Sequence, residues 1–132
     1  MPSANMEDYL EKIYLFTKNK NRPIKTTELA KLLNVKPSAI TDMAKKMSKE
    51  GYIIYEPYVG ISLSEEGEKI AKKTLRKHRI IETFLTNFLG MDLDKAYEEA
   101  CKIEHVVSDE TVERLYSFMN KPKTCPHGEN IE

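Results

Sequence analysis

Three side chains of metal-binding type stand close together in the second half of the chain. Cys101, Glu104 and His105 occupy positions i, i+3 and i+4, and residues at these spacings share one face of a helix. Thiolate, carboxylate and imidazole groups are all ligands of divalent transition metals. The spacing therefore indicates a metal site, although Cys101 by itself is also typical of a small buried apolar residue.

Two further pairs of residues could add ligands to this site. His78 lies on the apolar stripe of a long predicted helix, and Glu82 follows it by one turn. Asp8 and Glu11 stand at i and i+3 on the first predicted helix. Each residue also has a structural explanation that involves no metal. His78 is typical of a core or interface histidine, and Glu82 of a solvated or salt-bridged residue. Asp8 and Glu11 are acids of a kind that the helix dipole favours. The residues alone leave both interpretations open.

The distribution of charge points to a second kind of chemistry. Residues 18–49 contain nine basic and two acidic residues, whereas residues 64–132 contain 11 basic and 14 acidic ones, and the formal net charge of the whole chain is zero. A locally cationic segment is typical of a nucleic-acid interface, but it also occurs on solvated helical surfaces. The order of the secondary-structure elements decides between these two interpretations.

Hydrophobic periodicity predicts three helices followed by a hairpin in the first half. We expect a helix over about 3–19 with Ser3 as its N-cap, a short helix over 28–34 capped by Thr26, and a third that starts at Pro37 and stops before Gly51. Residues 52–63 are rich in β-formers and predict a small hairpin. This order is that of a winged helix-turn-helix, so the cationic segment is predicted to bind double-stranded DNA.

The third helix is predicted to read the DNA bases. Its buried stripe is predicted to be Ile40, Met43, Ala44 and Met47. The residues left outside it are candidates for base contacts, with Pro37 at the helix entry, and they are Ser38, Ala39, Thr41, Asp42, Lys45 and Lys46. Candidates for phosphate contacts are Lys25, Thr26, Thr27, Lys36 and Lys49. One such helix covers few base pairs, so we expect a homodimer on a palindromic operator.

The second half is predicted to be helical. Its predicted helices span about 64–89, 92–107 and 108–121, with Ser64, Asp92 and Ser108 as their N-caps, and residues 124–128 are predicted to be irregular. The predicted fold class is therefore mostly α, with an N-terminal winged helix-turn-helix and small β-hairpin wing over residues 1–63 and an α-helical metal-binding and dimerisation domain over residues 64–132.

Several classes of protein are excluded by what the sequence lacks. No apolar run approaches the roughly 20 residues that span a bilayer, and the N-terminus lacks a signal-peptide pattern, so a cytoplasmic location without membrane contact is expected. Neither a nucleophile elbow nor a phosphate-cradling glycine loop occurs, which argues against an enzyme. With only two cysteines, inert or ligand roles are favoured over a disulfide.

Taken together, these motifs resemble the metal-dependent transcriptional repressors typified by the diphtheria toxin repressor, the iron-dependent regulators and the manganese transport regulator. The resemblance covers nearly the whole chain. The motifs that carry it are Met6-Glu7-Asp8-Tyr9-Leu10-Glu11 with Ile13-Tyr14, Pro37-Ser38-Ala39-Ile40-Thr41, Gly67, Lys77-His78-Arg79 with Glu82, Glu99-Ala100-Cys101-Lys102-Ile103-Glu104-His105, Ser108-Asp109 and Cys125-Pro126-His127-Gly128.

The resemblance implies a repressor that senses a divalent metal and controls metal-homeostasis genes. In the family, metal tethers the first helix to the second half, so that only the metal-bound homodimer fits its operator. Carried over to this sequence, the primary ligands are Asp8, Cys101, Glu104 and His105, and His78 and Glu11 join them in the manner of the manganese regulators.

This sequence departs from the family pattern at three places. Asp8 replaces the methionine of iron-type members and Cys101 replaces the glutamate of the manganese type, so the resemblance implies a mixed site that favours Fe(II) and admits Mn(II). Tyr97 stands where iron-type members carry a second-site histidine, which implies that the ancillary site with His78 and Glu82 is incomplete or absent. The chain stops soon after Gly128, which implies a short form without the SH3-like domain. The alternative is a metal-independent winged-helix DNA-binding or dimerisation module with inert Cys and His residues.

Overall fold

The computed structural model describes residues 3–131, and these residues form six helices and one two-stranded sheet. The chain divides into two compact units, the first ending at Lys72 and the second beginning at Lys73. The elements are α1 (Ala4–Lys20), α2 (Thr26–Leu33), α3 (Pro37–Lys49), β1 (Ile53–Glu56), β2 (Gly60–Leu63), α4 (Glu65–Asn87), α5 (Leu93–Ile103) and α6 (Asp109–Phe118). None of the helices in this described part combines the length and apolar character that a bilayer span would need.

The first unit is a helix-turn-helix followed by an antiparallel hairpin, as predicted. Its core contains side chains from α1, α2, α3 and both strands, and the fully buried ones include Leu10, Ile13, Ile24, Leu29, Ile40, Met47 and Ile61. Ser3 caps α1 by accepting a hydrogen bond from the Met6 amide. The predicted stripe of α3 is confirmed, because Ile40, Ala44 and Met47 are buried and Met43 packs against the same core.

The start of α2 differs from the prediction. The helix begins at Thr26, and the N-cap residue is Lys25 rather than Thr26. The amide of Lys25 donates to the Glu28 carboxylate at 3.0 Å, and the Arg22 guanidinium donates to both oxygens of that carboxylate at 2.9 and 2.7 Å. The acid at the third helical position therefore takes over the role of a capping side chain, as in one half of a capping box.

The hairpin is fixed to the beginning of α4 by a close backbone approach. β1 and β2 pair in register from Ile53 opposite Leu63 to Glu56 opposite Gly60. A Cβ atom on Gly67 would lie 2.0 Å from the Tyr52 carbonyl oxygen, so only glycine fits in this first turn of α4. Ser64 caps the same turn by accepting from the Gly67 amide at 3.1 Å.

The second unit packs the remainder of α4 against α5 and α6. One apolar cluster contains Ile80, Val112, Met119, Cys125 and Ile131, and another contains Ile81, Leu85, Ala96 and Ala100. The three helices lie where they were predicted, but each ends earlier: α4 at Asn87, α5 at Ile103 and α6 at Phe118. The early end of α5 matters for the site described below.

The segment after α6 contains no helix or strand, as predicted, but it folds into a turn that is closed by backbone contacts. Thr124 and Asn130 form an isolated bridge, the Cys125 amide donates to the Glu129 carbonyl at 2.8 Å, and the Gly128 amide donates to the Cys125 carbonyl at 2.9 Å. Cys125 and Ile131 are buried against the core of the second unit. Burial of these two side chains explains why a segment without hydrophobic periodicity is ordered.

Candidate functional site

The first candidate metal site lies within the second unit and combines His78, Cys101 and Glu104. The Nδ1 atom of His78 is 3.8 Å from the Cys101 sulfur and 3.4 Å from Oε2 of Glu104. Ligand atoms of all three residues lie within 4.8 Å of one another. Atoms that bind a metal at about 2.0–2.3 Å lie roughly 3–4 Å apart, so this arrangement is close to what one ion requires.

Two helices place these three residues, although not as the sequence predicted. His78 lies on α4 and Cys101 in the last turn of α5, but α5 ends at Ile103, which leaves Glu104 and His105 outside the helix. Glu104 keeps a helical backbone conformation, with φ −55° and ψ −28°, and its amide donates to the Ala100 carbonyl at 3.0 Å. It therefore stays near Cys101. His105 follows in a turn, with Nε2 3.5 Å from Oε1 of Glu104.

A second candidate site joins α4 to the turn that follows α6. Glu82, Cys125 and His127 have ligand atoms within 4.8 Å of one another, and Nδ1 of His127 is 3.0 Å from Oε1 of Glu82. Glu82 and Cys125 are buried, whereas the His127 side chain is 43% exposed. Cys125 and His127 were predicted only as part of a family motif, without a role. The available signal was the Cys-Pro-His motif itself, which places two ligand types two residues apart beside a proline.

Tyr97, for which the resemblance implies a second-site histidine in iron-type members, packs against both histidines. Its ring meets the His78 ring edge-on at a centroid distance of 4.7 Å and the His127 ring at 5.9 Å. A tyrosine in this place contributes ring contacts that hold the imidazoles in position.

A contact between His78 and Glu82 links the two candidate metal sites. We call these the first cluster (His78, Cys101 and Glu104) and the second cluster (Glu82, Cys125 and His127). Nε2 of His78 is 3.4 Å from Oε2 of Glu82, and each of these atoms is buried without a hydrogen-bond partner among the described residues. His78 therefore has Nδ1 beside Cys101 and Glu104, and Nε2 beside Glu82. A carboxylate on the far nitrogen of a metal-binding histidine fixes the ring and its tautomer in known metal sites.

The charges in these clusters suit a cation. Burial by itself lowers the pKa of His78, but the contacts with Cys101, Glu104 and Glu82 outweigh it and raise the pKa to about 12. Burial raises the pKa of Glu82, yet the contacts with His78 and His127 reverse this, and the net shift is downward. Carboxylates in a buried site need a compensating positive charge. Without metal, the His78 proton supplies that charge, and a divalent ion could replace it.

The remaining predicted ligands lie in the first unit. Asp8 and Glu11 are on α1, where Glu11 is buried and Asp8 is partly buried. Their participation in a metal site stays a prediction from the resemblance.

Most of the predicted DNA-binding residues of α3 are exposed. Lys36, Pro37, Ser38, Asp42, Lys45 and Lys46 are exposed, whereas Ala39 and Thr41 are partly buried. The Thr41 hydroxyl donates to the Pro37 carbonyl at 3.2 Å, which reduces its freedom to contact a base. At the beginning of α2, Lys25 and Thr27 are exposed and Thr26 is partly buried. These three residues line a groove of about 530 Å³ together with hairpin residues 55–60.

Comparison with known proteins assigns the two halves of the chain to known domains. Residues 1–61 match the N-terminal DNA-binding domain of iron dependent repressors, and residues 64–132 match their metal-binding and dimerisation domain. The chain belongs to the iron-dependent repressor family. The resemblance and the predicted fold class are thereby confirmed, and the two clusters lie in the family's metal-binding domain.

Individual members of the iron-dependent repressor family are similar over most of this chain. An uncharacterized HTH-type transcriptional regulator of Methanocaldococcus jannaschii is 63% identical over 121 residues, which cover 92% of this chain and 97% of that protein. The HTH-type transcriptional regulator MntR of Lysinibacillus sphaericus is 37% identical over 126 residues, covering 96% and 89%. The solved structure of the manganese regulator SloR has a TM-score of 0.86 and 39% identity, covering 99% of this chain and 60% of the SloR chain. This chain therefore spans less than two thirds of the SloR chain.

Proposed function

We propose that this protein is a metal-dependent transcriptional repressor, not an enzyme, that binds a divalent transition metal through its second unit and double-stranded DNA through its first. The observation that carries the proposal is the pair of linked clusters, in which buried Glu82 and Glu104 stand beside His78. Burying carboxylates and an imidazole together is costly unless a charge partner stabilises them. A divalent cation is the partner that this set of ligand types fits.

The first cluster is the proposed primary site. Its proposed ligands are His78, Cys101 and Glu104, whose ligand atoms lie within 4.8 Å of one another, and Asp8, Glu11 and His105 are the further ligands that the family resemblance implies. The second cluster, with Glu82, Cys125 and His127, is proposed to hold a second ion. Thiolates favour Fe(II) over harder ions, while carboxylates admit Mn(II). Fe(II) is therefore the favoured metal and Mn(II) the alternative.

Bound metal is proposed to act by favouring one conformation of the protein. Each ion would hold residues from separate segments together: α4 with the end of α5 in one cluster, and α4 with the turn after α6 in the other. A ligand shifts a conformational equilibrium only by the difference in its affinity for the two states. A metal that binds the DNA-competent state more tightly will, by reciprocity, be bound more tightly when DNA is present.

A homodimer is the proposed DNA-binding species. The second unit exposes Phe88 and Phe118, with exposed fractions of 50% and 69%, and their rings lie 5.5 Å apart between centroids. Phe84 contacts both rings. Exposed aromatic clusters are typical of protein interfaces, and this one lies in the family's metal-binding and dimerisation domain. We assign it to self-association, and a two-fold symmetric dimer would bind a palindromic operator.

The experiment is a selection followed by a titration. The full chain loaded with Mn(II), or with Fe(II) under anaerobic conditions, selects duplexes from a random pool, and fluorescence anisotropy then measures their binding with metal and with chelator. We expect selected sequences with two-fold symmetry and at least about tenfold tighter binding with metal, which corresponds to about 1.4 kcal/mol of coupling. Equal affinity in chelator would instead identify a metal-independent DNA-binding module.

Single substitutions test the link between the metal cluster and DNA binding. Glu104→Gln removes a buried carboxylate with little change in shape and should abolish the metal effect while leaving the weak metal-free binding. The matched control is Glu98→Gln, an exposed carboxylate on α5. If Glu104→Gln kept the full metal response, the first cluster would not be the sensor.

A further inference from the structure

The histidine that links the two clusters stands between two basic residues of α4. Lys77 and Arg79 flank His78 in the motif Lys77-His78-Arg79, and the proposed function gives the two cations no role. Neither an ammonium nor a guanidinium has a lone pair to offer a metal ion. Successive residues of a helix lie about 100° apart around its axis, so the two cations project to opposite sides of His78.

Lys77 reaches the turn that follows α5. Its Nζ atom donates to the Val107 carbonyl at 3.2 Å and lies 3.0 Å from Oδ1 of Asp109, the first residue of α6. The Lys77 side chain is 17% exposed, so loss of these bonds would leave a largely buried ammonium with little compensation. Glu104 and His105 stand in the same turn, just before Val107. Lys77 therefore ties a segment with candidate metal ligands to α4.

Arg79 reaches the turn that follows α6. Its Nη1 atom donates to the Asn130 carbonyl at 3.0 Å, and Nη2 lies 3.9 Å from Oε2 of Glu129. This turn carries Cys125 and His127 of the second cluster. A short segment without helix or strand makes few contacts of its own and opens easily. The guanidinium of Arg79 therefore contributes a large share of what holds the turn against α4.

We propose that Lys77 and Arg79 are positioning residues for metal binding, each of which holds the ligand-bearing turn of one cluster against α4. The inference rests on the proposed function and extends it to two residues that contact no metal. Neither bonding partner is a candidate ligand, so each tether can form before an ion binds and reduce the conformational entropy that binding would otherwise cost. Lys77 serves the first cluster and Arg79 the second, so their effects should be separable.

Isothermal titration calorimetry with Mn(II) tests the tether of the first cluster. Lys77→Gln should weaken metal binding there by about threefold to tenfold, below the range of about 10- to 100-fold for groups that bond a ligand directly. The second cluster should keep its affinity. The matched control is Lys73→Gln, because Lys73 lies 2.8 Å from the same Asp109 carboxylate but is 61% exposed. It should change neither affinity, and Lys77→Arg, which keeps a cationic donor, should restore most of the loss.

The same titration tests the tether of the second cluster. Arg79→Gln should weaken metal binding there by about threefold to tenfold and leave the first cluster unchanged. The matched control is Arg76→Gln, since Arg76 lies on the same helix and donates to Glu113 of α6 at 3.0 Å. Its loss should favour neither cluster. Arg79→Lys should restore part of the affinity, because lysine keeps the charge but not the planar fork of donors.

Hydrogen exchange of the full chain in chelator gives a second readout that involves no metal. The reporters are backbone amides that close the two turns: Val106 and Val107 after α5, and Cys125, Gly128 and Ile131 after α6. Lys77→Gln should speed exchange in the first set and Arg79→Gln in the second, each by about threefold to tenfold, with the middle of α4 unchanged. If either variant fails to fold, Lys77→Met or Arg79→Met replaces it, since methionine keeps much of the aliphatic stem.

The two readouts keep this inference distinct from the proposed function. If the unmodified protein bound no divalent metal, the proposed function would fail and the inference with it. If it bound metal and the substitutions of Lys77 and Arg79 weakened both clusters equally or neither, the inference alone would fail. A loss from Lys73→Gln as large as that from Lys77→Gln, or unchanged exchange in both turns, would also overturn it.

Discussion

The two candidate metal sites of the second unit contain the same three types of potential ligand but are built in different ways. His78 lies on α4, Cys101 lies in the last turn of α5 and Glu104 directly follows that helix, and the histidine and the carboxylate are both buried. Glu82, Cys125 and His127 join a helix to a turn, and the His127 side chain is 43% exposed. The first cluster is a part of the helical packing, whereas the second depends on how the end of the chain folds back.

Glu82 belongs to both clusters in different capacities. It is a candidate ligand in the second cluster and lies beside the far nitrogen of His78, 3.4 Å from Nε2. Because His78 and Glu82 are four residues apart on α4, one face of a single helix serves both sites. We therefore expect the two sites to fill interdependently, and the following predictions test that expectation in order of decreasing effect.

The largest effect is expected from Glu82→Gln. Removal of this carboxylate takes a ligand from the second cluster and the orienting group from the first, where such groups contribute about 10- to 100-fold in metal affinity. Both clusters should therefore bind metal more weakly, the second by more than about 100-fold. Equilibrium dialysis against Mn(II) measures this, with Glu98→Gln as the exposed control. If only one binding event weakened, the clusters would be independent.

Glu104→Gln should affect one cluster only. It removes a ligand of the first cluster, so the loss there should exceed about 100-fold, the upper range for groups that only orient ligands. The second cluster should keep its affinity, because Glu104 is not among its ligands. Isothermal titration calorimetry with one metal resolves the two events. If metal affinity fell equally at both clusters, the two sites would be coupled through more than the His78–Glu82 contact.

His127→Ala should have a smaller effect, confined to the second cluster. Because the His127 side chain is partly exposed, water competes with it for the metal. We therefore expect its removal to reduce metal affinity at that site by about tenfold. The metal response of DNA binding, which we assign to the first cluster, should change little. Anisotropy titrations with saturating metal measure this, and abolition of the metal response would reverse the ranking of the two clusters.

The last prediction concerns a spectrum and not an affinity, and it assigns the two cysteines to the two clusters. Co(II) bound to a thiolate gives a sulfur-to-metal charge-transfer band, so the intact protein should show contributions from both Cys101 and Cys125. Cys101→Ser and Cys125→Ser should each remove one contribution and leave the other. A spectrum insensitive to Cys125→Ser would show that the second cluster binds metal without its thiolate.

The sequence predicted local features well where a repeating pattern controlled them. The buried stripe of α3 and the hairpin follow from periodicity, since each side chain's burial depends on its place in the repeat. The cap of α2 and the end of α5 were mispredicted. The Glu28 carboxylate accepts hydrogen bonds from the Arg22 guanidinium and the Lys25 amide, and this network favours Lys25 as the N-cap. Glu104 lies just after the end of α5. Beyond a helix, the spacing of residues along the chain no longer determines which side chains lie together.

The family, the order of the elements and most ligand types of the first cluster follow from the sequence alone, because motifs and periodicity are properties of neighbouring residues. The tertiary structure was needed to bring Glu82 to Cys125 and His127, which lie more than 40 positions later in the chain. That meeting depends on the turn from Thr124 to Asn130 and on the burial of Cys125. The physical reason is that burial of a short, non-periodic segment is decided by the surface it packs against.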